Sequence, residues 1–97
     1  MRLSWSLRAL SDLRAQRRYV ARTQPAAATR IVERIIAATD RLETYPGYGR
    51  PAIWDATGRL RELPVAGTPF VVLYTIDVTG MVLIVRVVHG AQLRGPE

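Results

Sequence analysis

The feature that most constrains this chain is a change of period in its apolar residues. Before position 45 they recur every three or four residues. After position 59 they alternate or run continuously. The two regimes meet at Tyr45-Pro46-Gly47-Tyr48-Gly49-Arg50-Pro51. No helix continues through so dense a set of prolines and glycines. A chain that is helical first and β-rich afterwards belongs to the α+β class.

The elements follow from the pattern. Arg2-Leu3-Ser4-Trp5 alternates polar and apolar and reads as a short strand, residues 2–5. Ser6 then supplies an N-cap for a helix reaching to about Arg22. The stripe Leu10, Leu13, Val20, Ala21 is imperfect, because Arg17 falls on the same side. Thr23-Gln24-Pro25 breaks the chain, and proline suits the first turn of a second helix, residues 25–43. There Ala28, Ile31, Val32, Ile35, Ala38 and Leu42 form a wide apolar face. Two such helices with a short break make an antiparallel hairpin. A loop runs on to about Thr57, and residues 59–65 read as a strand. Phe70-Val71-Val72-Leu73-Tyr74-Thr75-Ile76 and residues 81–88, joined by a turn at Asp77-Val78-Thr79-Gly80, form a β-hairpin. Their nearly unbroken hydrophobicity places them centrally in the sheet. The expected architecture is β-α-α-β-β-β, with the helical hairpin packed on one face of an antiparallel sheet. The other face is left partly open. A short mobile tail begins at about residue 90.

Composition narrows the chemistry. Ninety-seven residues fit a single domain, residues 1–97. The absence of cysteine excludes disulfides, thiolate zinc sites and thiol catalysis, and one histidine cannot make a multi-histidine metal site. No metal or cofactor is expected. Residues 1–10 lack the apolar run of a signal peptide, and no segment approaches the ~20 apolar residues that span a bilayer. The net charge of +6 calls for an acidic partner. All 14 cationic side chains are arginine, which suits bidentate grips on phosphate or carboxylate, although a GC-rich genome also favours arginine codons.

Few side chains stand out. Arg59 and Arg61 are two apart and leave the same face of their strand. Arg86 interrupts an apolar run, so it either pairs with Glu62 or Asp77 or faces a groove and meets an anion. His89 is either a hydrogen-bonded structural residue or a proton carrier in phosphodiester cleavage. Tyr45, Tyr48 and Trp54 cluster near Arg50, as loop packing or as a stacking surface for bases. Ser4, Ser6 and Ser11 are explained as strand and cap residues, and Gly47-Tyr48-Gly49 lacks the context of a phosphate loop.

Four motifs, in order, carry a resemblance. They are Leu3-Ser4-Trp5-Ser6 with Ala9 and Asp12-Leu13; Leu42-Glu43-Thr44-Tyr45-Pro46-Gly47-Tyr48-Gly49-Arg50-Pro51; Arg61-Glu62-Leu63-Pro64-Val65 with Gly67-Thr68-Pro69-Phe70-Val71-Val72-Leu73-Tyr74; and Val85-Arg86-Val87-Val88-His89-Gly90-Ala91. Residues 3 to about 94 thereby resemble the RelE/ParE superfamily of toxins from bacterial type II toxin–antitoxin systems. The resemblance implies a cytoplasmic toxin neutralised by a cognate antitoxin, whose acidic or amphipathic segment would suit a basic surface. RelE-like members cut mRNA on the ribosome with basic residues, often an arginine on the third strand, and a C-terminal Tyr or His. ParE-like members inhibit DNA gyrase. Here the third-strand arginine position holds Val71, no tyrosine follows the last strand, and the second arginine of the closing motif is Gln92, with Arg94 two residues beyond. The departures favour a ParE-like toxin with no chemistry of its own, contacting gyrase through Arg59, Arg61, Arg86 and Arg94. The alternative is a ribosome-dependent endoribonuclease in which His89 moves protons while Arg61 and Arg86 stabilise phosphate charge.

Overall fold

A computed structural model describes residues 2–93. Its elements are strand β1 (Leu3–Trp5), helices α1 (Leu7–Ala21) and α2 (Pro25–Thr44), and strands β2 (Arg50–Pro51), β3 (Arg61–Pro64), β4 (Phe70–Ile76) and β5 (Val82–His89). Short 3-10 turns cover Pro46–Tyr48 and Gly90–Leu93. The expected order of elements is present, with the two-residue β2 added. Residues 94–97 lie outside the described residues, and Arg94 with them. The expected tail therefore opens with a helical turn. The strand expected over residues 59–65 is confined to Arg61–Pro64, so Arg59 stands in the loop before it.

Local chemistry sets the helix ends. The Ser6 hydroxyl accepts the Ala9 N–H at 3.0 Å and donates to the Val85 carbonyl at 3.1 Å. The cap thus also ties α1 to the sheet. Pro25 opens α2, where no side chain caps the turn. The αα-hairpin lays one face on the sheet. Ala9, Ile35, Leu42, Leu63, Val72, Tyr74, Ile84 and Val87 form the main core. The chain has a radius of gyration of 13.3 Å.

The sheet runs β1-β5-β4-β3-β2. It is mixed rather than antiparallel: β1 pairs parallel with β5, Leu3 opposite Val82 and Trp5 opposite Ile84. Parallel neighbours need a long crossover. Both helices and the three following strands provide it, so no local pattern announces the pairing. The central placing of β4 and β5 agrees with their hydrophobicity.

A second difference concerns Arg86. In β5 the register slips between Leu73, opposite Arg86, and Tyr74, opposite Ile84. Val85 is therefore a bulge residue, and the parity of facing side chains changes across it. Val82 and Ile84 face the helices before the bulge, and Val87 does so after it. Strict alternation would have driven Arg86 into the core. The bulge removes it.

The face away from the helices is more covered than expected. Val71, Leu73 and Val88 are buried there beneath Leu60 and Leu93, from the loop before β3 and the closing 3-10 turn.

Candidate functional site

The breaker-rich loop is held to the sheet by three side chains. Tyr74 is fully buried in β4. Its hydroxyl donates to the Pro46 carbonyl at 2.7 Å and accepts the Gly49 N–H at 2.9 Å. Arg61, opposite Tyr74 on β3, reaches the same loop. Its Nη2 donates to the carbonyls of Gly49 at 2.6 Å and Gly47 at 3.1 Å, and its Nε approaches the Tyr74 hydroxyl at 3.4 Å. Glu62 binds from the other face of β3, accepting from Arg50 Nε at 2.7 Å and Trp54 Nε1 at 2.9 Å. The clamp leaves no room for a side chain at position 49. A Cβ there would stand 2.6 Å from the Tyr74 hydroxyl and 2.7 Å from the Glu62 carbonyl. Burial pushes the Glu62 carboxyl up. The hydrogen bonds from Trp54 and Arg50, with the charge of Arg50, outweigh that and hold it below its usual value.

Beyond this clamp lies an open groove of about 730 Å³, lined by Gly58, Arg59, Arg61 and residues 75–78. Asp55 shapes its rim, accepting the backbone N–H groups of Arg59 and Leu60 and the Thr57 hydroxyl. Those bonds hold the Asp55 carboxyl below its usual value, the Thr57 hydroxyl contributing most. Among the described residues nothing pairs with the Arg59 guanidinium. The expectation that Arg59 and Arg61 leave one face of a shared strand is not met: Arg59 stands in the loop before it, and the two meet only as residues lining this groove.

Arg86 occupies a different edge. Its partner is Asp12 of α1, not Glu62 or Asp77. Nε donates to Asp12 Oδ2 at 2.7 Å and Nη2 to Oδ1 at 3.3 Å. The same carboxylate accepts the Val87 N–H at 3.0 Å, and Arg8 lies 3.6 Å from it. Asp12 therefore seals the margin of β5 past the short β1 and holds Arg86 there with its side chain one-third exposed. Glu62 is committed to Arg50 and Trp54. Asp77 is committed to its own turn, accepting from Thr79 and Met81.

His89 closes β5. Its ring packs edge-on against Phe70, with centroids 5.8 Å apart, and its Nδ1 accepts the Ala91 N–H at 3.1 Å. Its own N–H donates to Gln92 Oε1 at 3.0 Å. His89 is opposite Phe70 and Arg61 is opposite Tyr74, four residues along β4. At ~3.3 Å per residue that is roughly 13 Å. Arg61 and His89 are thus held apart, and Arg86, nearer to Arg61 in the register, is tied to Asp12 instead. Tyr45 and Tyr48 stand exposed on the loop, while Trp54 is turned to Glu62.

Asp12 and Tyr74 carry much of this arrangement without having stood out as chemistry in the sequence. Asp12 is the only acid in a helix rich in arginine, a signal that it has a fixed partner. Tyr74 is the only residue of its strand besides Thr75 with a polar atom to satisfy.

Comparison with known proteins places this geometry in a family. The family model described as the ParE toxin of type II toxin–antitoxin system, parDE, matches residues 3–94. Toxin RelE2 of Caulobacter vibrioides is 44% identical over 89 residues, which cover 92% of this chain and 94% of that protein. A solved structure of the chromosomal ParDE TA system from P. aeruginosa superposes with a TM-score of 0.78 at 24% identity, over 92% of this chain and 95% of that one. The last is a likeness of fold. The chain belongs to the ParE toxin family of type II toxin–antitoxin systems, within the RelE/ParE superfamily.

Proposed function

We propose that this toxin acts by binding DNA gyrase and carries out no bond cleavage of its own. The observation that carries the reading is the commitment of its three candidate catalytic side chains to separate partners. Arg61 is committed to loop carbonyls, Arg86 to Asp12 and His89 Nδ1 to a backbone N–H. A phosphodiester-cleaving site needs its proton carrier and its charge-stabilising groups within reach of one phosphate. Arg59 and Arg61 in the groove, Arg86 on the β5 margin and Arg94 in the tail are the gyrase contacts in this reading.

A cognate antitoxin, acidic in character, is the second partner. Its docking is supported by a notch of about 240 Å³ between α2 and β3, lined by Arg34, Arg41 and Tyr48. Among the described residues, no strand lies beside the outer edge of β3 past Glu62. An acidic segment laid there gains backbone bonds and two guanidinium groups. Among the described residues no helix is long and apolar enough to cross a membrane, in keeping with action in the cytoplasm.

A ribosome-dependent mRNA endoribonuclease is the second reading. It is favoured by the exposure of His89, whose Nδ1 accepts a bond from the Ala91 N–H. The test is gyrase supercoiling with the purified chain in stoichiometric excess, run beside mRNA cleavage in a translating extract. The gyrase reading predicts lost supercoiling, restored by the antitoxin, and intact mRNA. Cleaved mRNA with normal supercoiling would replace it with the second reading.

A further inference from the structure

The positive charge of this chain is concentrated. Residues 7–22 hold five arginines against one acid, a net of +4 out of +6. Residues 25–44 hold three arginines against three acids and are neutral. Arg8 and Asp12 of the first segment are taken up in the β5 margin. Arg14, Arg17, Arg18 and Arg22 are exposed, and among the described residues none of them has an ionic partner.

Their spacing makes a ridge. Arg14, Arg18 and Arg22 are four apart, and Arg22 keeps helical backbone angles at the C-cap. They therefore stack along the outer face of α1 at intervals of about 6 Å. Like charges at this spacing destabilise a helix by about 0.2–0.5 kcal/mol per pair. The helix dipole favours cations only in its last turn, which accounts for Arg18 and Arg22 but not for Arg14. Nothing in the packing of the fold calls for the ridge.

We propose that the Arg14–Arg18–Arg22 ridge is a binding surface for the phosphate backbone of duplex DNA. The charge is complementary, and guanidinium groups hold phosphate oxygens bidentately. A protein partner would want an apolar centre to its interface. Beside the ridge the large exposed side chains of α1 are Tyr19, with Arg22 6.0 Å from its ring, and Leu7, two turns before Arg14 at the start of the helix, so neither gives the row an apolar centre. A single strand would want a series of aromatic platforms for its bases, and α1 offers this one ring. A straight row of cations without either feature fits a duplex backbone read without regard to sequence. The inference does not rest on the gyrase reading, because the test contains DNA and this chain alone.

The probe is a labelled DNA duplex of about 20 base pairs, followed by fluorescence anisotropy with the full chain. With three phosphates neutralised, log K falls by about 2.7 per tenfold rise in salt. That is about a 40-fold loss of affinity between 50 and 200 mM. Arg14→Gln/Arg18→Gln/Arg22→Gln is expected to weaken binding at low salt at least tenfold and to flatten the salt dependence. Arg30→Gln/Arg34→Gln/Arg41→Gln removes the same charge from α2 and is expected to keep the slope. Equal losses in the two triple variants would overturn the ridge as the site. Tighter binding to duplex RNA, to single-stranded DNA or to polyglutamate would overturn duplex DNA as its occupant. Thermal melting by circular dichroism checks the fold, and the single reversal Arg18→Glu is expected to weaken binding more than Arg30→Glu should the ridge triple variant unfold.

Discussion

At the scale of single residues, Tyr74 shows how one polar atom positions a loop. Its hydroxyl sits in the core, and the backbone groups of Pro46 and Gly49 both depend on it. Tyr74→Phe keeps the ring and strands those groups, so urea denaturation is expected to show a loss of about 1–3 kcal/mol with the fold retained. Glu62 behaves differently, because its contribution is ionic. Its carboxyl titrates below the ordinary value of 4.5 in the folded chain. The stability it contributes is therefore complete above that value and is lost as pH falls through the lowered one. Glu62→Gln is expected to be less stable than the parent above pH 4.5, with the difference closing as pH falls below that value in a series of denaturation curves. An undiminished difference in acid would show that the carboxylate charge is not what holds Arg50 and Trp54. The charged residues of the strands were legible in the sequence, but their partners were not. Arg86 was visible as a cation needing an acid. Asp12 lies 74 positions away, and no spacing rule links the two.

The elements were more legible than their pairings. Ser6 before an apolar-periodic stretch, Pro25 at a helix start and the Asp77-to-Gly80 turn each act within a few residues, so the sequence carries them directly. The bulge at Val85 and the parallel β1–β5 pair depend on distant chain and leave no such trace. The bulge matters most for the candidate site, since it decides that Arg86 leaves the core face. Ser6 joins the two kinds of information. It caps α1 by a local bond and holds β5 at its bulge residue, Val85, by a distant one. Ser6→Ala is accordingly expected to cost about 1–2 kcal/mol, at the upper end for an N-cap, in thermal or chemical unfolding.

Across the whole molecule the arginines divide into committed and uncommitted sets. Arg50, Arg61 and Arg86 build the scaffold with Glu62, Tyr74 and Asp12, while Arg59 and the outer row of α1 are left to solvent. Arg61 and Arg86 are fixed in place yet partly exposed, and with the free Arg59 they suit a protein whose action is to occupy a surface of its target. The measurement that tests this most directly is a titration of the purified chain, parent and His89→Gln, against a fixed concentration of DNA gyrase, with supercoiling as the readout. If the chain acts by binding gyrase alone, both proteins abolish supercoiling with the same dependence on the ratio of toxin to gyrase. Folded parent protein that leaves supercoiling untouched at stoichiometric excess would contradict that action.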